Sequence, residues 1–250
     1  MHRVIVFPRS STTVTLPPEE ARHLVKVLRL PEGSLFEGLA ETGQVLLCRL
    51  AREHGEWIGE VVREIAENRE SPFRIHLAPA LIKPERFEWL LQKGVELGVI
   101  SFQPLLTRYS QSTHHGGYTP RRLDRWRRIV REAVKQSGRA LIPRVEEPLE
   151  LTRLGERFDP AGFVCLDEAG DRSLQELGSS LEGCSECVLL VGPEGGWDEA
   201  ERDWLSGRGV PRFGLGPRIL RSETAAVAAV TLVQFLLGDL GTPGARSGQS

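Results

Sequence analysis

Near residue 70 the periodicity of this chain changes, and that change limits its architecture more than any other feature. Before it, short apolar runs of strand type are punctuated by glycine turns: "RVIVF", "SLFEGLAETGQVLLCRL" and "EWIGEVVREI". One helical segment interrupts them, residues 19–30, entered through Pro17 and Pro18, whose fixed φ suits a first helical turn. Its apolar positions Ala21, Leu24, Val25 and Leu28 follow helical spacing, while Arg22, Lys26 and Arg29 fall on another face at i, i+4 and i+7. From Phe73 onward strand-like and helix-like segments alternate: "RIHLAPALI", then "PERFEWLLQKGVELGV"; "SFQPLLT", then "RRLDRWRRIVREAVKQSG"; "GFVCLDE"; "CVLLVG", then "DEAERDWLSG"; "RFGLG", then "SETAAVAAVTLVQFLLG". Such alternation predicts an α/β domain with a mainly parallel sheet. The expected organisation is a small β-barrel module over 1–70, a polar, proline-ended linker, an α/β domain over 73–240 and a disordered tail, 241–250.

Two glycine turns stand at strand ends of the second region. The apolar run 188–191 leads straight into Gly192-Pro193-Glu194-Gly195-Gly196. This is neither the G-x-G-x-x-G dinucleotide turn nor a phosphate loop with its lysine. Asp198 and Glu201 form a D-x-x-E capping box that starts the next helix. In an open α/β sheet, ligands sit beyond the carboxyl ends of the strands. A glycine turn carrying a carboxylate and no lysine suits a cationic ligand, or one with adenine edges, better than a polyphosphate. The second turn, "LGPRILRSETAAVAAV" from residue 215, carries Arg218 and Arg221 beside Glu223, with Ser222 placed to cap the following helix. Arginines at a helix N-terminus form an anion pocket. The plainer alternatives are an ordinary strand-to-helix turn at 192–196 and an Arg221–Glu223 ion pair.

The 250 residues include 32 lysines and arginines against 34 acidic residues, so any anionic partner must be met by a local basic patch. Arg22, Lys26 and Arg29, with Arg3 and Arg9 in the same module, supply one candidate. The arginines of the long helix (Arg121, Arg122, Arg125, Arg127, Arg128, Arg131) supply another, although such faces are often only solvated. The start shows no signal-peptide pattern, and the longest apolar stretch, 225–237, is too short for a bilayer and reads as a buried helix; a cytoplasmic protein without membrane association is expected. Cys184-Ser-Glu-Cys187 is a lone C-x-x-C with no second pair, and His114-His115 has no acidic or thiol neighbour. Reduced thiols and no metal are expected.

The two glycine-turn blocks, together with "HLVKVLRL" (23–30), "KPERFEWLLQKGVELGV" (83–99) and "RWRRIVREAVKQSGRALIPRV" (125–145), resemble the bacterial 16S rRNA uridine-N3 methyltransferase family, among the SPOUT (trefoil-knotted) methyltransferases. The resemblance runs nearly the whole chain, in order. It implies an N-terminal PUA-like RNA-binding barrel and a C-terminal SPOUT α/β domain with a deep trefoil knot. It also implies a homodimer that binds S-adenosylmethionine and methylates 16S rRNA of the small ribosomal subunit. It places Gly192, Pro193, Glu194 and Gly195 on one side of the cofactor pocket and Leu215, Gly216, Ile219, Leu220 and Thr224 on the other, with Leu166 as a third wall. It turns Lys93, Gln136 and Arg139 toward the RNA cleft and sets His23 with the basic stripe. Trp197 stands where phenylalanine is common, and Lys83-Pro84-Glu85-Arg86 replaces a more usual Lys-Gly-Asp-Arg-like run.

Removing the N3 proton of uracil leaves charge on O2 and O4, which calls for donors and a proton acceptor. Arg221 is the candidate donor. Glu223 is the candidate acceptor, or the group that orients Arg221. Two alternatives stay open at this point: the same chemistry on another rRNA or tRNA position, and a non-catalytic RNA-binding protein.

Overall fold

The computed structural model describes residues 1–66, 69–110 and 118–241. The expected tail beyond residue 241 and the His114-His115 loop lie outside the described residues. The chain forms two compact units, Met1–Glu70 with Val130–Ile142, and Ser71–Ile129 with Pro143–Ser250.

In the first unit β1 (Arg3–Pro8), β2 (Thr13–Thr15), β3 (Leu35–Ala40), β4 (Val45–Glu53) and β5 (Glu56–Ile65) close into a barrel in the order β1-β2-β5-β4-β3. All neighbours are antiparallel except β1 and β3, whose parallel pairing closes the ring. Alternating residues of these strands point inward, and Val4, Val6, Val14, Phe36, Cys48 and Leu50 form the core with Leu24. The predicted helix is shorter than its spacing suggested. A single α-turn, α1 (Pro18–Arg22), passes into a π-helical turn, His23–Val27. The segment stops because Arg29 adopts a left-handed φ of 54°, with Leu30 N donating to Leu24 O. Arg29 therefore leaves the helical stripe and projects from the terminating turn. Val130–Ile142 completes this unit through charge. Lys135 Nζ lies 3.0 Å from buried Glu20 Oε1. Arg139, itself buried, donates to Glu70, which also accepts from the backbone N–H groups of Ala140 and Leu141.

The second unit is built on a wholly parallel six-stranded sheet, β13-β11-β12-β6-β7-β9. Its strands are β6 (Arg74–Pro79), β7 (Val99–Phe102), β9 (Arg144–Val145), β11 (Phe163–Leu166), β12 (Glu186–Val191) and β13 (Arg212–Phe213). A separate parallel pair joins β8 (Leu105–Leu106) to β10 (Leu149–Glu150). The helices are α2 (Pro84–Glu96), α3 (Pro120–Ser137), α4 (Leu177–Ser180), α5 (Glu199–Ser206) and α6 (Ser222–Leu237). α2 makes the crossover from β6 to β7, as a parallel pair requires. The α/β alternation expected from residue 73 is thus the architecture found. On α3, the stripe Leu123, Trp126, Val130 and Ala133 is buried as its spacing predicts. On α6, Ala226, Ala229, Val230, Val233 and Gln234 are buried, and the small alanines allow close packing on the sheet. That helix is not buried all round, however: Phe235 is 64% exposed and Leu236 46%.

Candidate functional site

The carboxyl ends of β11, β12 and β13 end together at one edge of the parallel sheet, and there the two glycine turns enclose a cleft of about 260 Å³. Its first wall is the turn after β12. Gly192 sits under the buried indole of Trp197, where a Cβ would stand 3.1 Å from the ring. Trp197 Nε1 donates to Leu166 O at 2.8 Å, so one side chain fixes both the turn and the end of β11. The capping box expected at Asp198 and Glu201 is present, and Glu201 Oε1 also accepts from the backbone N–H of Arg108. The second wall is the 215–220 turn, which leads into α6.

The predicted cofactor residues Leu166, Gly192, Pro193, Glu194, Leu215, Gly216, Ile219 and Leu220 all line this cleft. Gly195 and Thr224 do not. Gly195 packs against Tyr109, with space for a Cβ only 3.0 Å from Tyr109 Cβ, and Thr224 is exposed beyond the first residue of α6. Ser222 is not the helix cap. Arg221 occupies the N-cap without a side-chain hydrogen bond, and Ser222 Oγ instead donates to Gly192 O at 2.6 Å, stitching the two turns together.

Three acidic groups stand at the cleft, two of them paired. Asp167 is buried; burial alone would raise its carboxyl, but hydrogen bonds from Arg202, the Ala169 N–H and Arg212 outweigh that and hold it below the ordinary value. Glu168 is exposed on the lining, near enough to Arg202 to add to Asp167 in raising its pKa. Glu194 accepts a hydrogen bond from Arg86 Nη1 on α2. The same guanidinium reaches Glu223, with Arg86 Nε 3.6 Å from Glu223 Oε1. Glu223 is 8% exposed, lies outside the cleft lining, and its Oε2 has no partner. Arg221 is exposed, and the expected ion pair with Glu223 does not form; Arg86 takes that place. The expectation that Glu223 orients Arg221 is therefore corrected.

The other predicted positions separate by pairing. Arg22, His23, Lys26 and Arg29 are exposed and have no partner among the described residues. Arg9 is paired with Glu53, and Arg3 with Glu37 at 2.5 Å. Lys93 is paired with Glu96 at 2.8 Å, while Gln136 is exposed. Arg139 is buried against Glu70, so a solvent-facing role for it is corrected to a structural one. Along α3, Arg125 is held by Glu88 and Arg127 by Val145 O. Arg218, read as part of an anion pocket, lines the cleft, and so do Asp167, Glu168, Trp197, Ser222 and Ala225, which were not read as pocket residues. The acidic pair was signalled by "LDE" at the end of an apolar strand. Cys184 is exposed, Cys187 is buried with its thiol pushed up to about 12 by burial, and the two form no disulfide.

Comparison with known proteins bears on this geometry. A model described as an RNA methyltransferase domain matches residues 69–234. A ribosomal RNA small subunit methyltransferase E from Bacillus subtilis is 32% identical over 231 residues, covering 89% of this chain and 90% of its own. The crystal structure of a ribosomal RNA small subunit methyltransferase E from Neisseria gonorrhoeae bound to S-adenosyl methionine is 30% identical, covers 96% of this chain and 99% of its own, and superposes with a TM-score of 0.83. A methyltransferase from Legionella pneumophila, in complex with the bound cofactor SAM, is 29% identical with a TM-score of 0.84 and covers 96% and 100%. The α/β fold with its N-terminal barrel is shared along nearly the full length of these proteins, so the chain belongs to the ribosomal RNA small subunit methyltransferase E family of RNA methyltransferases.

Proposed function

We propose that this chain transfers a methyl group from S-adenosylmethionine to N3 of one uridine in 16S rRNA of the small ribosomal subunit, in the cytoplasm. The observation that carries the reading is the cleft between the two glycine turns. Its chemistry fits the cofactor: a glycine floor under Trp197 that a Cβ would crowd, apolar walls from Leu166 and Leu220, and the carboxylates of Glu168 and Glu194. These two carboxylates and one arginine, Arg218, line it, and the phosphate-loop lysine is not among the described lining residues. When bound, S-adenosylmethionine supplies a methyl group on a positively charged sulfur.

The residues of this chain do the rest. Leu166, Leu215, Gly216, Ile219 and Leu220, with Gly192, Pro193 and Glu194, hold the cofactor; Gly195, packed on Tyr109, backs the first turn. Holding two reactants in line supplies much of a transfer rate. Arg221, exposed and unpartnered at the mouth of α6, donates to the uracil oxygens as N3 loses its proton. Glu223, whose Oε2 is buried without a partner, is the proposed proton acceptor. Arg22, His23, Lys26 and Arg29 contact RNA phosphates, with Arg9, Lys93 and Gln136 as subsidiary contacts. The trefoil knot and a homodimer formed through a face that includes α6 belong to the same reading, the latter supported by exposed Phe235 and Leu236.

The test is labelled methyl transfer to small subunits lacking native methylation, with the product nucleoside identified by mass spectrometry. 3-Methyluridine at one site is expected. Another methylated nucleoside, or transfer only to other RNA, moves the target; cofactor binding without transfer to any RNA favours a non-catalytic binder. Arg221→Ala is expected to cut transfer far more than cofactor binding, and equal losses would remove Arg221 from the chemistry.

A further inference from the structure

Arg86 was not among the residues that the sequence marked for the site, yet it bridges the turn after β12 and the start of α6. It stands in the first turn of α2, 27% exposed at the side chain. Its Nη1 donates to Glu194, which belongs to the glycine turn after β12. Its Nε faces Glu223, in the first turn of α6, at 3.6 Å. One guanidinium thus serves two carboxylates from two different elements, the 192–196 turn and the first turn of α6, and α2 is the third element that carries it.

Charge makes this arrangement informative. Two carboxylates against one arginine leave a net negative charge, and Glu223 Oε2 is buried with nothing to satisfy it. Without Arg86 both acids would lose the cation they share, and Glu194 would lose the hydrogen bond that holds it on the cleft lining. Among the described residues the two turns are also joined by a short neutral bond, Ser222 Oγ to Gly192 O. Arginine suits the bridging role because its planar fork offers separate donors in fixed directions, which a lysine cannot.

We propose that Arg86 is a positioning residue of the cofactor site: it sets the Glu194 carboxylate and ties the 192–196 turn to the start of α6, so that the cleft is preformed for a cationic ligand. The inference rests on the proposed function, since it takes S-adenosylmethionine as that ligand, and it goes beyond it by assigning the preorganisation to a residue outside the cleft lining. Arg86 is not proposed to touch the substrate.

The experiment is calorimetric titration of the full-length protein with S-adenosylmethionine for wild type, Arg86→Gln, Glu194→Gln and the double variant. Removing a hydrogen bond between charged groups predicts roughly tenfold weaker binding for Arg86→Gln. Because Arg86 acts through Glu194, the double variant is expected to bind no more weakly than Glu194→Gln alone. In methyl transfer, KM for the cofactor should rise by a similar factor with kcat changed less. A purely structural role would lower the binding-competent fraction and the melting temperature while leaving Kd of that fraction unchanged. Unchanged Kd in Arg86→Gln, or additive losses in the double variant, overturns the inference. If Arg86→Gln fails to fold, Glu194→Gln reads the same contact from its other side, and wild-type affinity there overturns it equally. Wild-type protein that does not bind S-adenosylmethionine would instead defeat the proposed function, a result separate from any of these.

Discussion

In the barrel unit Arg22, His23, Lys26 and Arg29 stand in solvent without partners, whereas at the cleft of the α/β unit Asp167 is tied to two arginines and Glu194 to a third. The contrast separates two uses of charge. An unpaired surface cation costs little and is available to a polyanion arriving from solution. A paired, half-buried charge has been desolvated already, and its worth lies in the geometry it holds. Arg29 sharpens the distinction, since it terminates its helical segment in the left-handed region at a backbone cost of about 1 kcal/mol, where a glycine would carry none.

The contrast can be broken from either side. The largest effect is expected from Arg22→Gln, Lys26→Gln and Arg29→Gln combined. RNA affinity should fall roughly a hundredfold at low salt, and the slope of log affinity against log salt should flatten by about 2. Thermal stability should move within about 0.5 kcal/mol per site. An unchanged salt slope in filter binding would show that the stripe is only solvated. Next comes Asp167→Asn, which strips Arg202 and Arg212 of their counter-charge and should cost about 2–3 kcal/mol at pH 7 by denaturant unfolding. The folded-state carboxyl is depressed, so its stabilisation is present above the ordinary value of 3.8 and is lost as pH falls through the folded value. Wild type and variant should therefore converge in acid.

A smaller effect is expected from Gly192→Ala. The added methyl meets the Trp197 ring at 3.1 Å, an overpacking worth about 1–3 kcal/mol, with weaker cofactor binding as the turn shifts. Wild-type affinity would mean that the turn relaxes freely. The smallest is Ser222→Ala, about 1 kcal/mol for one hydrogen bond, read as a modest loss of stability.

How much of this was legible depended on sequence distance. The α/β alternation after residue 73, the α3 stripe, the capping box at Asp198 and the first glycine turn are local patterns and are found as read, whereas the second turn lacks the Ser222 cap and the first unit also takes in Val130–Ile142. "HLVKVLRL" was misread in detail because its spacing fits an α-helix, and nothing local announces a π-turn or a left-handed arginine. Arg139 looked like a surface cation because its partner, Glu70, lies 69 residues away. Arg86 escaped notice for the same reason: Glu194 is 108 residues downstream, and only the parallel sheet brings α2 beside that turn. Long-range pairing of charges leaves no periodic trace in a single sequence.

The barrel unit is discontinuous, and this has a consequence for how the protein is made. Glu20 is buried in the barrel unit, but Lys135, which pairs with it, follows much later in the chain, as does Arg139, which donates to the part-buried Glu70. As the polypeptide emerges from the N-terminus onward, the five strands are complete by residue 65, before Lys135, the partner of Glu20, has been made. The barrel cannot reach its final form until more than half of the polypeptide has been translated. The first 70 residues expressed alone lack their own closing segment, and the order of synthesis makes the N-terminal unit the one that waits.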